Sequence, residues 1–154
     1  MRMRVKQPPA GLAEALARAR DLKPKLDGAT DEMNRSIHEV EVALAALHLG
    51  VRASVTIESR TDQQFSFTWY RCLVFGKDAK VWRLLIEEGR DDHPEDIDFT
   101  PLVNASREVR LQATEHLAEL VWAIVKTAEE EIARVEAATK EALTVASVIK
   151  TGGG

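Results

Sequence analysis

Two helical stripes flank the middle of this chain, and each is longer than a compact domain of the same size is wide. The first runs from about Pro9 to Leu49. Its apolar residues are Leu12, Leu16, Ala19, Leu22, Leu26, Met33, Ile37, Val40, Leu44 and Leu47, spaced mostly three or four apart. That is the pattern of a helix with one buried face. Pro24 and Gly28 interrupt it, and proline removes a hydrogen bond and crowds the preceding turn. The stripe keeps its phase across both, so the reading is one kinked helix or two helices meeting near residues 24–30, with Thr30 capping the second. Gly50 supplies a left-handed stop.

The second stripe takes in Val109, Ala113, Leu117, Leu120, Ile124, Ala128, Ile132, Val135, Ala142 and Ile149. It starts after Thr100 at Pro101, or at Asn104. Around Trp122 the apolar surface widens to include Val121 and Val125, which predicts the deepest burial there. At ~1.5 Å per residue the two helices reach about 60 and 69 Å. A globule of this chain length is roughly 40 Å across. Unbroken helices therefore overhang, and their stripes need each other or another chain.

Between them lies strand-like sequence. Val51, Ala53, Val55 and Ile57 alternate with Arg52, Ser54, Thr56 and Glu58, a half-buried strand. "RTDQQ" turns the chain. In the next strand the odd residues Phe65, Phe67, Trp69, Leu73 and Phe75 share an apolar face; in the third, the even residues Trp82, Leu84 and Ile86 do. Antiparallel partners share a face, so odd must meet even. A two-residue turn at Lys77-Asp78, or a four-residue loop of the same parity, satisfies this. The fold class is α+β: long helix, three-stranded antiparallel meander, long helix. Residues 1–8 form a basic tail, 9–150 one domain with helical arms, and 151–154 a second tail.

The opposite face of the hairpin presents Tyr70, Cys72, Val74, Val81 and Leu85, with Thr68 and Arg83. That is too apolar for a face left in water. A helix of the same chain or a second copy is expected to cover it. Tyr70, Val74, Val81, Leu85 and Trp122 are accordingly the candidate interface.

Arg71 breaks the apolar face of the second strand. A buried guanidinium needs a carboxylate or carbonyl partner. The reading is an ion pair with a helix glutamate, or an edge position reaching water; a bound anion is the alternative. Arg107 and Arg110 lie near a helix start, where cations are unfavourable unless something negative is near. With Arg71 they make the candidate anion or partner site, although the acidic loop just upstream is a simpler counter-charge.

The net charge of −4 conceals two blocks. Residues 1–25 hold seven Lys or Arg against two acids, and residues 87–98 seven acids against one Arg. Such blocks pair with each other, with a partner, or with water. "DDHPED" lacks the spacing of a calcium loop. His38 with Glu41, and His116 with Glu119, reverse the Glu-x-x-His order of di-metal bundles. Phosphate-binding, dinucleotide, esterase and zinc-protease motifs are missing. Cys72 is the only cysteine, which fits a reducing cytoplasm and excludes a disulfide framework. The start has no apolar signal core and no run is long enough to span a membrane, so the Asn104-Ala-Ser106 sequon carries no glycosylation meaning. No cofactor, metal or catalytic constellation is called for.

The expected function is that of a noncatalytic, homodimeric protein-interaction module in a bacterial or phage-type accessory protein. In element order alone, the chain resembles small dimeric nucleoid-associated proteins, which bind DNA. That resemblance implies a second function, nucleic-acid binding, for which the charge balance permits a cationic patch of the N-terminal basic block with Arg52, Arg60, Arg71, Lys77, Lys80 and Arg83. A small-anion binder using Arg71, Arg107 and Arg110 is the third.

Overall fold

A computed structural model describes residues 9–152; the basic tail expected at 1–8, and 153–154, lie outside the described residues. The elements in order are α1 (Leu12–Ala46), β1 (Ala53–Asp62), β2 (Phe67–Asp78), β3 (Val81–Arg90), β4 (Asp98–Pro101), α2 (Arg107–Thr114) and α3 (Leu117–Gly152). The class is α+β as expected, with one strand more than the sequence suggested. β4 pairs with β3 from Leu85↔Pro101 to Glu88↔Asp98. "DFTP" is too short, and too close to proline, to register as a strand by alternation.

α1 is one helix with Pro24 inside it. Thr30 does not cap a second helix: its hydroxyl donates to the Leu26 carbonyl at 2.8 Å. The left-handed stop begins at His48 (φ 50°), whose N–H donates to the Ala45 carbonyl, and Gly50 (φ 66°) follows in the connection.

The sheet is antiparallel in the order β1-β2-β3-β4. The β1–β2 turn occupies residues 63–66, so Arg60 to Asp62 belong to β1 and Phe65 sits exposed in the turn rather than on the strand face. Odd meets even between β2 and β3, but each strand runs farther than expected: Asp78 pairs with Val81 around a two-residue turn at Ala79-Lys80. Both turn residues take positive φ, 48° and 75°, as a turn matching the twist of a hairpin requires.

One face of the sheet carries the core. Val51, Ala53, Val55, Leu73, Phe75, Leu84 and Ile86 pack against Ile37 and Leu44 of α1, Leu102, Ala113 of α2, and Leu120 and Ile124 of α3. Glu41 of α1 is buried among them, and its Oε2 accepts the Leu84 N–H at 2.8 Å. β4 ends opposite Leu85, so this carboxylate takes the ladder bond that a longer strand would have made. An orphaned buried N–H costs about 1–3 kcal/mol.

On the other face, side chains of the sheet itself close over part of the apolar surface. Val74 is 0% and Leu85 5% exposed, yet neither belongs to the core cluster. The Arg52 stem lies against Gly76, where a Cβ would stand 3.5 Å from its Cγ, and its guanidinium reaches Glu87 on β3 at 2.9 Å. Tyr70 lies on its cross-strand partner Gly89: a Cβ there would sit 2.9 Å from Oη and 3.3 Å from Ile97 Cγ1. A side chain at position 89 would therefore displace the Tyr70 ring.

The C-terminal helix is split. Leu102–Asn104 form a 3-10 turn, and α2 starts after Ser106, whose hydroxyl accepts the Val109 N–H at 3.3 Å. Neither Pro101 nor Asn104 starts it. A second break at residues 115–116 separates α2 from α3 without proline or glycine. Trp122 is not deeply buried but 72% exposed, because Leu120 and Ile124 point to the sheet. At the far end Thr151 and Gly152 are helical, which corrects the tail expected from residue 151.

Helices of 35 and 36 residues extend about 53 Å each, and only part of each lies on the sheet. The buried side chains of α1 are Ile37, Glu41 and Leu44; those of α3 are Leu120 and Ile124. Asn34 meets Arg110 of α2, while residues 128–136 of α3 pass Leu49 and Val51. Both helices thus run from the α2 end of the core toward the α1–β1 connection. The α1 arm leaves beside α2, and the α3 arm leaves at the opposite end.

Left-handed backbone costs roughly 1 kcal/mol or more for a residue with a Cβ, and Ala79-Lys80 lacks the Asn-Gly pair that avoids it. Ala79→Asn combined with Lys80→Gly is expected to raise stability by about 1 kcal/mol in urea unfolding. An unchanged midpoint would mean the hairpin turns elsewhere.

Candidate functional site

Arg71 owes its surroundings to a β-bulge. Thr56 pairs with Cys72, but the next pair is Glu58↔Arg71, with Ile57 extra. Regular alternation would send Glu58 to the outer face with Thr56. The added residue turns it to the helix side, opposite Arg71, while Ile57 still packs on the core. Re-aiming a side chain in this way is a common consequence of a bulge.

The guanidinium is then closed in. Nε donates to Glu88 Oε1 at 2.8 Å, and Nη1 donates to Glu58 Oε2 at 2.9 Å and to Gln112 Oε1 of α2 at 3.0 Å. Trp69 lies under it at 5.0 Å. The ion pairs are with glutamates of the flanking strands rather than of a helix. Gln112 also donates to Glu58 Oε2 at 3.1 Å, so the cluster ties β1, β2, β3 and α2 together. Hydrogen bonds from Arg60 and Gln112, and the charges of Arg60 and Arg71, hold the Glu58 carboxyl below its ordinary 4.5.

The other two candidate arginines do not join it. Arg110 turns to α1 and donates to Asn34; Arg107 is exposed in the first turn of α2. The hollow beside Arg71 is lined by Glu58, Glu108 and Glu115 as well as Arg60. An incoming anion would meet those carboxylates at short range, where like charges repel strongly. The geometry is that of a structural cluster.

Of the six basic residues in the strand region, four are paired with acids: Arg52 with Glu87, Arg60 with Glu58, Arg71 with Glu58 and Glu88, and Arg83 with Asp78, while Lys80 is exposed. Lys77 sits over Trp82. Paired cations release few counterions on meeting phosphate, so they contribute little to nucleic-acid affinity. Arginine paired with acid within the sheet was not legible from counts of basic residues.

Cys72 faces outward, half-buried, with the Thr56 hydroxyl 3.7 Å from Sγ. Burial pushes its thiol up, the reverse of what a nucleophilic thiolate needs. In the acidic loop, ligand atoms of His93, Glu95 and Asp96 lie within 4.8 Å of one another, all three exposed. His93 Nδ1 and Glu95 Oε1 are already hydrogen bonded at 3.0 Å. His38 and His116 each neighbour their own glutamate, Glu41 at 3.8 Å and Glu119 at 2.8 Å.

The remaining feature is apolar. Of the five candidate interface residues, Val74 and Leu85 are closed over and Tyr70 is half-buried on Gly89, leaving Val81 and Trp122 as exposed surface. The arms offer far more. Leu12, Leu16, Leu22 and Leu26 on α1, and Ile132, Val135, Leu143, Val148 and Ile149 on α3, are all exposed. Where the α3 arm leaves the core, Leu49, Val51, Ala128, Ile132 and Val135 line a groove of about 380 Å³ with Glu131 and Glu136 at its edge.

Compared with known proteins, the chain matches no family model, no curated protein and no solved structure. The resemblance to nucleoid-associated proteins therefore rests on element order, and β4 and the split C-terminal helix depart from that order. Among the described residues no helix is long and apolar enough to cross a membrane.

If the Arg71 cluster is structural, removing the cation alone leaves two carboxylates facing each other. Arg71→Ala is expected to lower the urea midpoint more than the triple change Arg71→Ala, Glu58→Gln, Glu88→Gln. Because Glu58 is more acidic in the folded state, its contribution is complete above the ordinary carboxylate pKa. It is lost as the pH falls through the lowered folded value. Glu58→Gln should flatten that acid limb of the stability profile; an unaltered limb would mean Glu58 is not linked to folding.

Proposed function

We propose that this chain is a noncatalytic protein-interaction module that works as a homodimer. One observation carries the reading: two helices of more than thirty residues leave a small core with their apolar stripes uncovered. On α3 the stripe that is buried at Leu120 and Ile124 continues in phase through Ala128, Ile132, Val135, Thr139, Ala142, Ala146 and Ile149. From Ala128 onward its steps alternate four and three, the spacing of a helix that packs along another helix. A helix in water gains most of its stability from such packing. Exposed apolar surface on this scale marks an association site, and a closed two-fold dimer is the commonest way to cover it.

A noncatalytic role is consistent with how the chemically capable side chains are used. Arg71, Glu58 and Glu88 are spent on each other, and burial pushes the Cys72 thiol up, away from the reactive thiolate.

Sedimentation velocity over about two decades of concentration tests the proposal. The expected result is a reversible shift to the dimer mass, with Ile132→Glu moving the transition to higher concentration. A monomer at every concentration would overturn it.

A further inference from the structure

We infer that the two copies exchange arms: residues 12–26 of α1 in one copy lie in the groove between α3 and Leu49–Val51 of the other. This rests on the homodimer reading above and names the surfaces that meet.

The groove is apolar, with an acidic edge. Its lining is Leu49, Val51, Ala128, Ile132 and Val135, flanked by Glu131 and Glu136. Residues 128–136 carry Glu129, Glu130, Glu131 and Glu136 against Arg134. Residues 12–26 carry the complementary pattern: Leu12, Leu16, Leu22 and Leu26 exposed along one side, with Arg18, Arg20, Lys23 and Lys25 against Glu14 and Asp21. Arg18, Lys23 and Glu131 are paired within their own helices, with Glu14, Asp27 and Arg134. Exposed pairs of this kind are worth little and can be exchanged for contacts across a strip. Complementary charge around an apolar strip sets register and partner choice.

The chain's own arm cannot fill its own groove. It departs beside α2, where Asn34 meets Arg110, while the groove lies at the other end of the core. In a single copy both arms point away from each other. A two-fold axis perpendicular to the helices reverses one copy and brings each α1 arm antiparallel to the partner's α3 arm. The contact then occurs twice and closes.

The α1 arm also needs a support that α3 does not. It contains Pro24 and Gly28, and its N-cap, Gly11, makes no side-chain capping bond. Proline and glycine are the two least favourable residues in a helix interior. A solvated helix with those defects is poorly sustained by its own hydrogen bonds. The α3 arm is rich in Ala and Glu, strong helix formers, and offers a preformed surface.

Charge reversal on the full chain tests the inference, read as the dimer dissociation constant in sedimentation. All four chosen positions are exposed, and circular dichroism checks that each variant keeps its helix content. Arg18→Glu with Lys25→Glu should weaken the dimer about tenfold or more, as should Glu131→Lys with Glu136→Lys. All four changes in one chain should restore affinity to within about threefold of the original. A dimer indifferent to both pairs would overturn the arm exchange and leave the homodimer reading standing. So would weakening by each pair without recovery in the combination, since the two surfaces would then matter without meeting. A monomeric parent chain would remove both.

Discussion

The sheet can seat only a few turns of each long helix, and the remainder of the architecture follows from that mismatch. α1 is anchored by Ile37, Glu41 and Leu44, and α3 by Leu120 and Ile124. Helix formation is costly to nucleate and cheap to extend, so the packed turns can propagate into segments that bury nothing within the chain. The two arms differ in how well they sustain themselves. Alanine and glutamate favour the α3 arm, whereas Pro24 and Gly28 burden the α1 arm.

Polar groups inside the fold are handled by local pairing. The bulge at Ile57 turns Glu58 toward Arg71, and Glu88 and Gln112 complete its surroundings. At the edge where β4 stops, Glu41 supplies the acceptor that Leu84 would otherwise lack. On the open face Arg52 crosses Gly76 to Glu87, and Tyr70 covers Gly89. Long amphipathic side chains can shield apolar neighbours while keeping charged ends wet. This is why a sheet with an apolar outer face needs no second layer at Val74 and Leu85.

Much of the fold was readable along the chain. Helical phase located α1 and α3, and period-two alternation located β1, β2 and β3, because both patterns come from backbone geometry. Parity required odd residues of β2 to meet even residues of β3, and they do. The turn itself was misplaced because Ala79-Lys80 carries no turn signature. β4 escaped because four residues ending at proline show no alternation, and the break before α3 because "TEHL" contains no helix breaker. Trp122 was misjudged since a widened apolar surface does not say which side meets the sheet.

The candidate site shows the same division. Arg71 was conspicuous as a charge on an apolar face, but its partners lie 13, 17 and 41 residues away in sequence. No local pattern announces a bulge that reverses the side on which Glu58 projects. Linear order established the element types, the shared faces and the surplus of apolar surface, all properties of residues a few positions apart. Which charges neutralise one another, which side of the sheet stays open and where the arms depart depend on long-range contacts, and so emerged only when the chain was folded.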